Sequence, residues 1–258
     1  MSVRLYALTC GWLTLPEAAL IEGGDPAPIR IPVPAYLLVH PKGTALFDSG
    51  LAAICSSPSP ARDAYLGELG KQVVVERALE DGIDARLAKL DVDVARVDWV
   101  INSHLHLDHA GGNESASAAR LLVQRREWEA AHEPDLIEAM AYKPVDYDHG
   151  HDMLLVEGEH DVFGDGSVRC IPTHGHTPGH QSLRVRLASG EVVLAGDACY
   201  LREMLESLRL PPGAAWDRTA MREALLRLRA LESRGARIFY GHDPEFWRSL
   251  PQAPNAID

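Results

Sequence analysis

The chain has 258 residues, 46% hydrophobic and 24% charged, which suits a soluble globular protein with a substantial core. Its formal charge of −12 disfavours nonspecific binding to nucleic acid or anionic membrane, since both want an excess of Lys and Arg. Cys10, Cys55, Cys170 and Cys199 lie far apart with no CxxC pair, which argues against a cysteine zinc site or disulfide framework and suits a reducing compartment.

The first predicted element is a short strand over residues 3–8. The opening stretch MSVRLYALTCGWLTLPEAAL has some of the character of a secretory leader. Gly11 and Pro16 interrupt it, however, and acidic residues follow in place of a small-residue cleavage site. No segment approaches the ~20 apolar residues a membrane helix needs. The expectation is a cytoplasmic protein with no membrane partner. Residues 35–40 and 44–47 read as a hairpin around Pro41-Lys42-Gly43. Residues 50–85, containing Ser56-Ser57-Pro58-Ser59-Pro60, read as a long connection, either a lid over a site or a surface excursion.

Strands are predicted at 99–102 and 120–124, then a helix over 125–132. A strand over 168–171 follows, and 182–187 pairs with 191–195 through Ser189-Gly190. The clearest helix covers 219–233, with Met221, Leu225, Leu228 and Leu231 on one stripe. Asp217 or Thr219 can cap its start, and Gly235 follows its end. A strand over 237–240 closes the series. Hairpins mixed with helices predict an α/β architecture of mixed sheets covered by helices. With no repeat and no linker, residues 1–258 are expected to form a single domain.

The stretch Ser103-His104-Leu105-His106-Leu107-Asp108-His109-Ala110-Gly111-Gly112 packs three of the chain's 12 histidines into six residues. Crowded imidazoles repel when protonated, and a bound cation makes the crowding favourable. His104 and His106, two apart, point the same way in extended backbone. Asp108 and His109 then fall where the chain turns. His176, Asp197 and His242 each lie near a predicted strand end beside glycine, in Gly175-His176-Thr177, Gly196-Asp197 and Gly241-His242. Imidazole and carboxylate are the expected ligands of zinc and similar ions. Five histidines and two aspartates suffice for two divalent metals, with one carboxylate bridging.

HLHLDH, then GHTPGH, then GD, then GH, in this order across residues 104–242, resembles the motif set of the metallo-β-lactamase superfamily. Tyr36-Leu37-Leu38-Val39 and Leu46-Phe47-Asp48-Ser49-Gly50 resemble its N-terminal strand pair. The resemblance implies an αββα sandwich with the site at one edge. It implies that His104, His106 and His176 hold the first metal, that Asp108, His109 and His242 hold the second, and that Asp197 bridges. Zinc is the default ion, with iron, manganese and cobalt also compatible. His180 reads as a hydrogen-bonding neighbour of the ligands.

Fold and metals do not settle the reaction. Tyr200, three residues after Asp197, resembles the N-acyl-homoserine lactonases, where a tyrosine contacts the substrate carbonyl; the plainer reading is a packed aromatic. Val123–Ala131, Gly179-His180-Gln181-Ser182-Leu183 and Gly241-His242-Asp243 are also close to that group. The activity this resemblance implies is therefore dinuclear metal-dependent opening of the ring of N-acyl-homoserine lactones, a quorum-quenching hydrolysis of a small-molecule lactone by a metal-bridging hydroxide, with Tyr200 stabilising the oxyanion and Asp108 moving a proton. A homodimer is expected from the resemblance alone.

Other readings stay open. A related branch opens 4-pyridoxolactone. A glyoxalase II-like thioesterase should carry C-terminal basic residues, and only Arg248 follows His242. A nuclease should carry a basic exosite, which the acidic balance disfavours. No GxSxG signature points to a covalent intermediate. Met204, Leu205, Leu208, Leu210, Leu51 and Ile54 either line an acyl groove or pack in the core.

Overall fold

The computed structural model describes residues 2–213 and 215–257. Its first sheet comprises β1 (Arg4–Pro16), β2 (Pro28–His40), β3 (Gly43–Phe47), β4 (Val74–Glu76), β5 (Trp99–Ile101), β6 (Arg120–Gln124) and β7 (Met153–Val156), ordered β4-β1-β2-β3-β5-β6-β7. The second comprises β8 (His160–Asp161), β9 (Val168–Pro172), β10 (Gln181–Leu187), β11 (Gly190–Leu194) and β12 (Arg237–Phe239), ordered β12-β11-β10-β9-β8. Both expected hairpins are present, with His40 opposite Gly43 and Leu187 opposite Gly190.

Period-2 patterning explains how the sheets pack. In β2, Tyr36 and Leu38 face the second sheet, where Val168, Cys170, Leu183, Val185, Val192 and Leu194 meet them. Ala35 and Leu37 face the other way, onto Leu66, Ile83 and Leu87 of α1 (Pro60–Leu66) and α3 (Ile83–Ala88). The short helix α2 (Leu69–Gln72) lies between those two in sequence. On the far side of the second sheet, Ile171, Val193 and Ile238 pack against Met221, Leu225, Leu228 and Leu231 of a helix over Arg218–Glu232. Helix, sheet, sheet and helix thus stack as the αββα sandwich.

The other helices are α4 (Leu107–Ala110), α5 (Arg125–Ala130), α6 (Pro134–Ala139), α7 (Arg202–Ser207) and α9 (Pro244–Ser249), with α8 being Arg218–Glu232. Asp217 caps α8 by accepting from the Thr219 and Ala220 N–H groups, and Gly235 beyond its end takes φ +97.

Two differences from the sequence reading have local causes. β1 runs to Pro16 because a bulge between Thr9 and Trp12 carries pairing past Gly11. Residues 50–85 are largely structured: Ser59 caps α1, and Trp12, Leu13 and Thr14 pair with β4. Of the apolar residues open to a groove or a core, Met204, Leu205, Leu210 and Leu51 lie in the core, Leu208 packs half-buried against it, and Ile54, at 37% exposure, is the surface member.

Parallel pairing sets the position of the site. β3, β5 and β6 run parallel, as do β11 and β12, and β9 runs with β11 because each is antiparallel to β10. Their carboxyl ends share one edge of the sandwich. Loops leaving such an edge are where α/β sheets gather ligand-binding groups.

Candidate metal centre

The predicted residues come from loops at this edge. His104 and His106 follow β5, Asp108 and His109 lie on α4, His176 follows β9, Asp197 follows β11 and His242 follows β12. His106 keeps an extended backbone, φ −75 and ψ 159, as the N-cap of α4. The two-residue spacing therefore turns its ring toward that of His104. His104 Nε2 and His176 Nε2 each lie 3.0 Å from His106 Nδ1.

The seven side chains form two groups, His104, His106, His176 and Asp197 in one, and Asp108, His109 and His242 in the other. Asp197 reaches both. Its Oδ2 lies 3.3 Å from His176 Nε2 and 3.7 Å from His104 Nε2. Its Oδ1 lies 3.2 Å from His109 Nε2 and 3.1 Å from His242 Nε2. Asp108 Oδ2 stands 3.6 Å from both His109 Nε2 and His242 Nε2.

Four of the five histidines have their outward ring nitrogen engaged by another group, which fixes which nitrogen of those rings faces inward. His109 Nδ1 donates to Asp48 Oδ2 at 2.8 Å, and His242 Nδ1 donates to the Pro32 carbonyl at 2.8 Å. His104 Nδ1 donates to Ser103 Oγ, whose own proton goes to Asp48 Oδ2. His176 Nδ1 lies 2.9 Å from the Tyr200 hydroxyl. Among the described residues, two inward atoms, His109 Nε2 and Asp197 Oδ1, are buried with no hydrogen-bond partner. Such groups are costly without a ligand. The donor set and these orphaned atoms fit divalent metal ions.

Electrostatics agree. Burial, then neighbouring imidazoles, push His104 well below the usual histidine value, and burial and His176 take His106 to about 3. Both are held neutral, as ligands must be. Burial opposes the charged form of His109, but Asp197, Asp108 and Asp48 outweigh it and hold this histidine well above its usual value. Burial likewise works to raise Asp197, and His109, His242 and His104 outweigh it and hold the carboxylate well below its usual range.

Several supporting residues carried no assigned role in the sequence reading. Asp48 serves both groups through His109 and Ser103, from a left-handed backbone at φ 59. Asn102 Nδ2 holds the His109 carbonyl, and Asn113 holds Asn102. His180 takes the neighbouring role expected of it: its Nε2 accepts from the Asp197 N–H at 3.0 Å. Its Nδ1 is then the donor toward Thr173. The available signal was polarity inside otherwise apolar runs, as in Leu46-Phe47-Asp48-Ser49.

Beside the second group, the Tyr65 hydroxyl on α1 donates to Asp146 Oδ2 at 2.8 Å. Burial raises the Asp146 carboxyl from 3.8 to about 7, against the pull of Tyr65 and Lys143 and with a further push from Asp108. A raised carboxyl favours folding fully below 3.8 and loses that contribution as pH climbs through about 7. Urea melts of Asp146→Asn should therefore gain on the parent as pH rises from about 4 to 7. A parent-minus-variant difference that stays flat across that window refutes the assignment.

A sequence model of the metallo-beta-lactamase superfamily matches residues 29–242. The N-acyl homoserine lactonase AttM of Azorhizobium caulinodans is 34% identical over 264 residues, covering 99% of each chain. An N-acyl homoserine lactonase of Bacillus thuringiensis is 30% identical, covering 98% of each. Among solved structures, an N-acyl homoserine lactone hydrolase with N-hexanoyl-L-homoserine bound at its catalytic metal centre superposes with a TM-score of 0.87. It is 29% identical, with 100% of both chains covered.

Proposed function

Because the chain belongs to the metallo-β-lactamase superfamily, we propose that it is a metal-dependent hydrolase that opens the ring of N-acyl-homoserine lactones, ending their action as quorum signals. The observation that carries this reading is the Tyr200 hydroxyl on His176 Nδ1, beside two ligand groups that share Asp197. The likeness to lactonases along the whole chain supports it.

In this reading His104, His106 and His176 would hold one ion, Asp108, His109 and His242 the other, with Asp197 between them. Zinc is the first choice for imidazole and carboxylate donors. When bound, the ions supply Lewis acidity and hydroxide near neutral pH. With His176 presenting Nε2 inward, its Nδ1–H donates to Tyr200 Oη. The tyrosine proton is then free to donate to the lactone carbonyl oxygen as charge builds there. Asp108 takes a proton as water adds and returns it to the ring oxygen that leaves as an alcohol. The product is the N-acyl-homoserine.

We assign the acyl chain to side chains beside the ligand loops. Trp216 is 40% exposed, and its backbone N–H donates to the His176 carbonyl. The Tyr142 ring lies 5.4 Å from that of His106. With ligands drawn from residues 104 to 242, we read 1–258 as one functional unit. No helix among the described residues is long and apolar enough to cross a membrane. Four buried free cysteines support a cytoplasmic setting. A homodimer remains part of the proposal by resemblance alone.

Proton release on a lactone panel tests the reading. Zinc-loaded protein should turn over short- or long-chain N-acyl-homoserine lactones and lose that activity to a chelator. Turnover of 4-pyridoxolactone alone, or of S-lactoylglutathione alone, would replace the substrate while keeping the metal chemistry.

A further inference from the structure

Glu127 is fully buried on the first turn of α5 and belongs to neither ligand group. Four donors converge on its carboxylate. Oε1 accepts from the Leu105 N–H at 3.1 Å and the Tyr142 hydroxyl at 2.9 Å. Oε2 accepts from the Thr177 hydroxyl at 2.7 Å and the Gly179 N–H at 2.9 Å. Burial raises the Glu127 carboxyl, and these four donors, which fill the lone-pair sites of an ionised carboxylate, pull against that rise.

The donors come from informative places. Leu105 separates His104 from His106, so pinning its N–H fixes the backbone of both. Thr177 directly follows His176, and Gly179 lies three residues beyond it. Gly179 lies so close to α5 that a Cβ there would come within 2.1 Å of the Glu127 nitrogen. Tyr142 is the wall beside the His106 ring.

We propose that Glu127 is the positioning residue of the first metal group: one buried carboxylate sets the spacing of His104, His106 and His176 and places a negative charge behind the cation they bind. This rests on the metal reading above and is independent of which lactone is cleaved. Hydrogen-bonding neighbours of ligands change metal affinity about 10- to 100-fold when altered. A carboxylate serving all three histidines of one group, and none of His109, Asp108 or His242, should act on one site selectively.

The test uses the full chain, stripped with chelator and titrated with cobalt(II), and with zinc against a chromophoric competitor. Glu127→Gln keeps the shape, removes the charge and turns an amide NH2 toward two donors. It should weaken one of the two sites at least tenfold and change the visible absorption of one cobalt, while the second site keeps its parent affinity. Thr177→Val removes one donor and spares the charge, so it should weaken the same site by less. Parent affinity and an unchanged cobalt spectrum in Glu127→Gln overturn the proposal, whatever happens to its melting temperature. If that variant does not fold, Thr177→Val and Tyr142→Phe decide, and parent-like binding in both overturns it. Normal metal binding in the parent with no lactone opened refutes the substrate reading and leaves this one standing.

Discussion

Asp197→Asn should bind less than one equivalent of metal and lose nearly all hydrolytic turnover, the largest effect expected of any single substitution here. The reason is geometric. Oδ2 faces His104 and His176, and Oδ1 faces His109 and His242, with each oxygen within 3.7 Å of its histidines. An amide of the same shape offers one neutral oxygen and one NH2, so one group meets a donor where it needs an acceptor. The charge is lost as well. Asp197 is held ionised by the surrounding histidines, and among the described residues it is the carboxylate that reaches both groups. Without it, two cations would have to share Asp108 and five neutral rings. Metal content after dialysis, with turnover on the same sample, checks this. Two retained equivalents with more than a few per cent of parent turnover would show that Asp197 does not bridge.

How much of this could be read without the fold depended on whether the cause was local. The seven ligand candidates were visible because their residue types are unusual at strand ends beside glycine. The α8 stripe was visible because Met221, Leu225, Leu228 and Leu231 recur at helical spacing, and all are buried. The length of β1 was hidden because Gly11 and Pro16 read as breakers, while the bulge that carries pairing past Gly11 is set by the partner β2. Asp48 stood in a stretch matched to the superfamily's N-terminal strand pair and Glu127 in one matched to the lactonases, yet no role attached to either. Their function lies in contacts 55 to 61 residues away for Asp48 and 15 to 52 for Glu127. A buried acid is recognisable by sitting on an apolar stripe. Its purpose becomes readable only once its donors are known. The apolar residues after Tyr200 make the same point from the other side: their type suits a groove or a core equally, and packing against α8 decided for the core.

Tyr200→Phe is the second large prediction, and it separates chemistry from assembly. Among the described residues, the hydroxyl's hydrogen-bond partner is His176 Nδ1. Burial, then Asp197 and Asp108, keep its pKa well above the usual phenol value, so the proton stays on the oxygen across the working range. A neutral phenol held in place by an acceptor bond from His176 is a preorganised donor, and a preorganised donor aimed at a developing oxyanion is worth most in a water-poor site. Loss of one such donor typically costs on the order of 100-fold in kcat, about 2.7 kcal/mol. The ring should hold its packing between His176 and His242, at 5.7 Å from each, because phenylalanine keeps it. Metal content should therefore match the parent, KM should move little, and kcat should fall. The His176 ring loses an acceptor at Nδ1, so a small drop in affinity at the first group is the accompanying cost. Parent kcat on the preferred lactone would remove the hydroxyl from the mechanism and leave Tyr200 a packing residue. A fall in metal content as large as the fall in rate would assign it instead to holding His176.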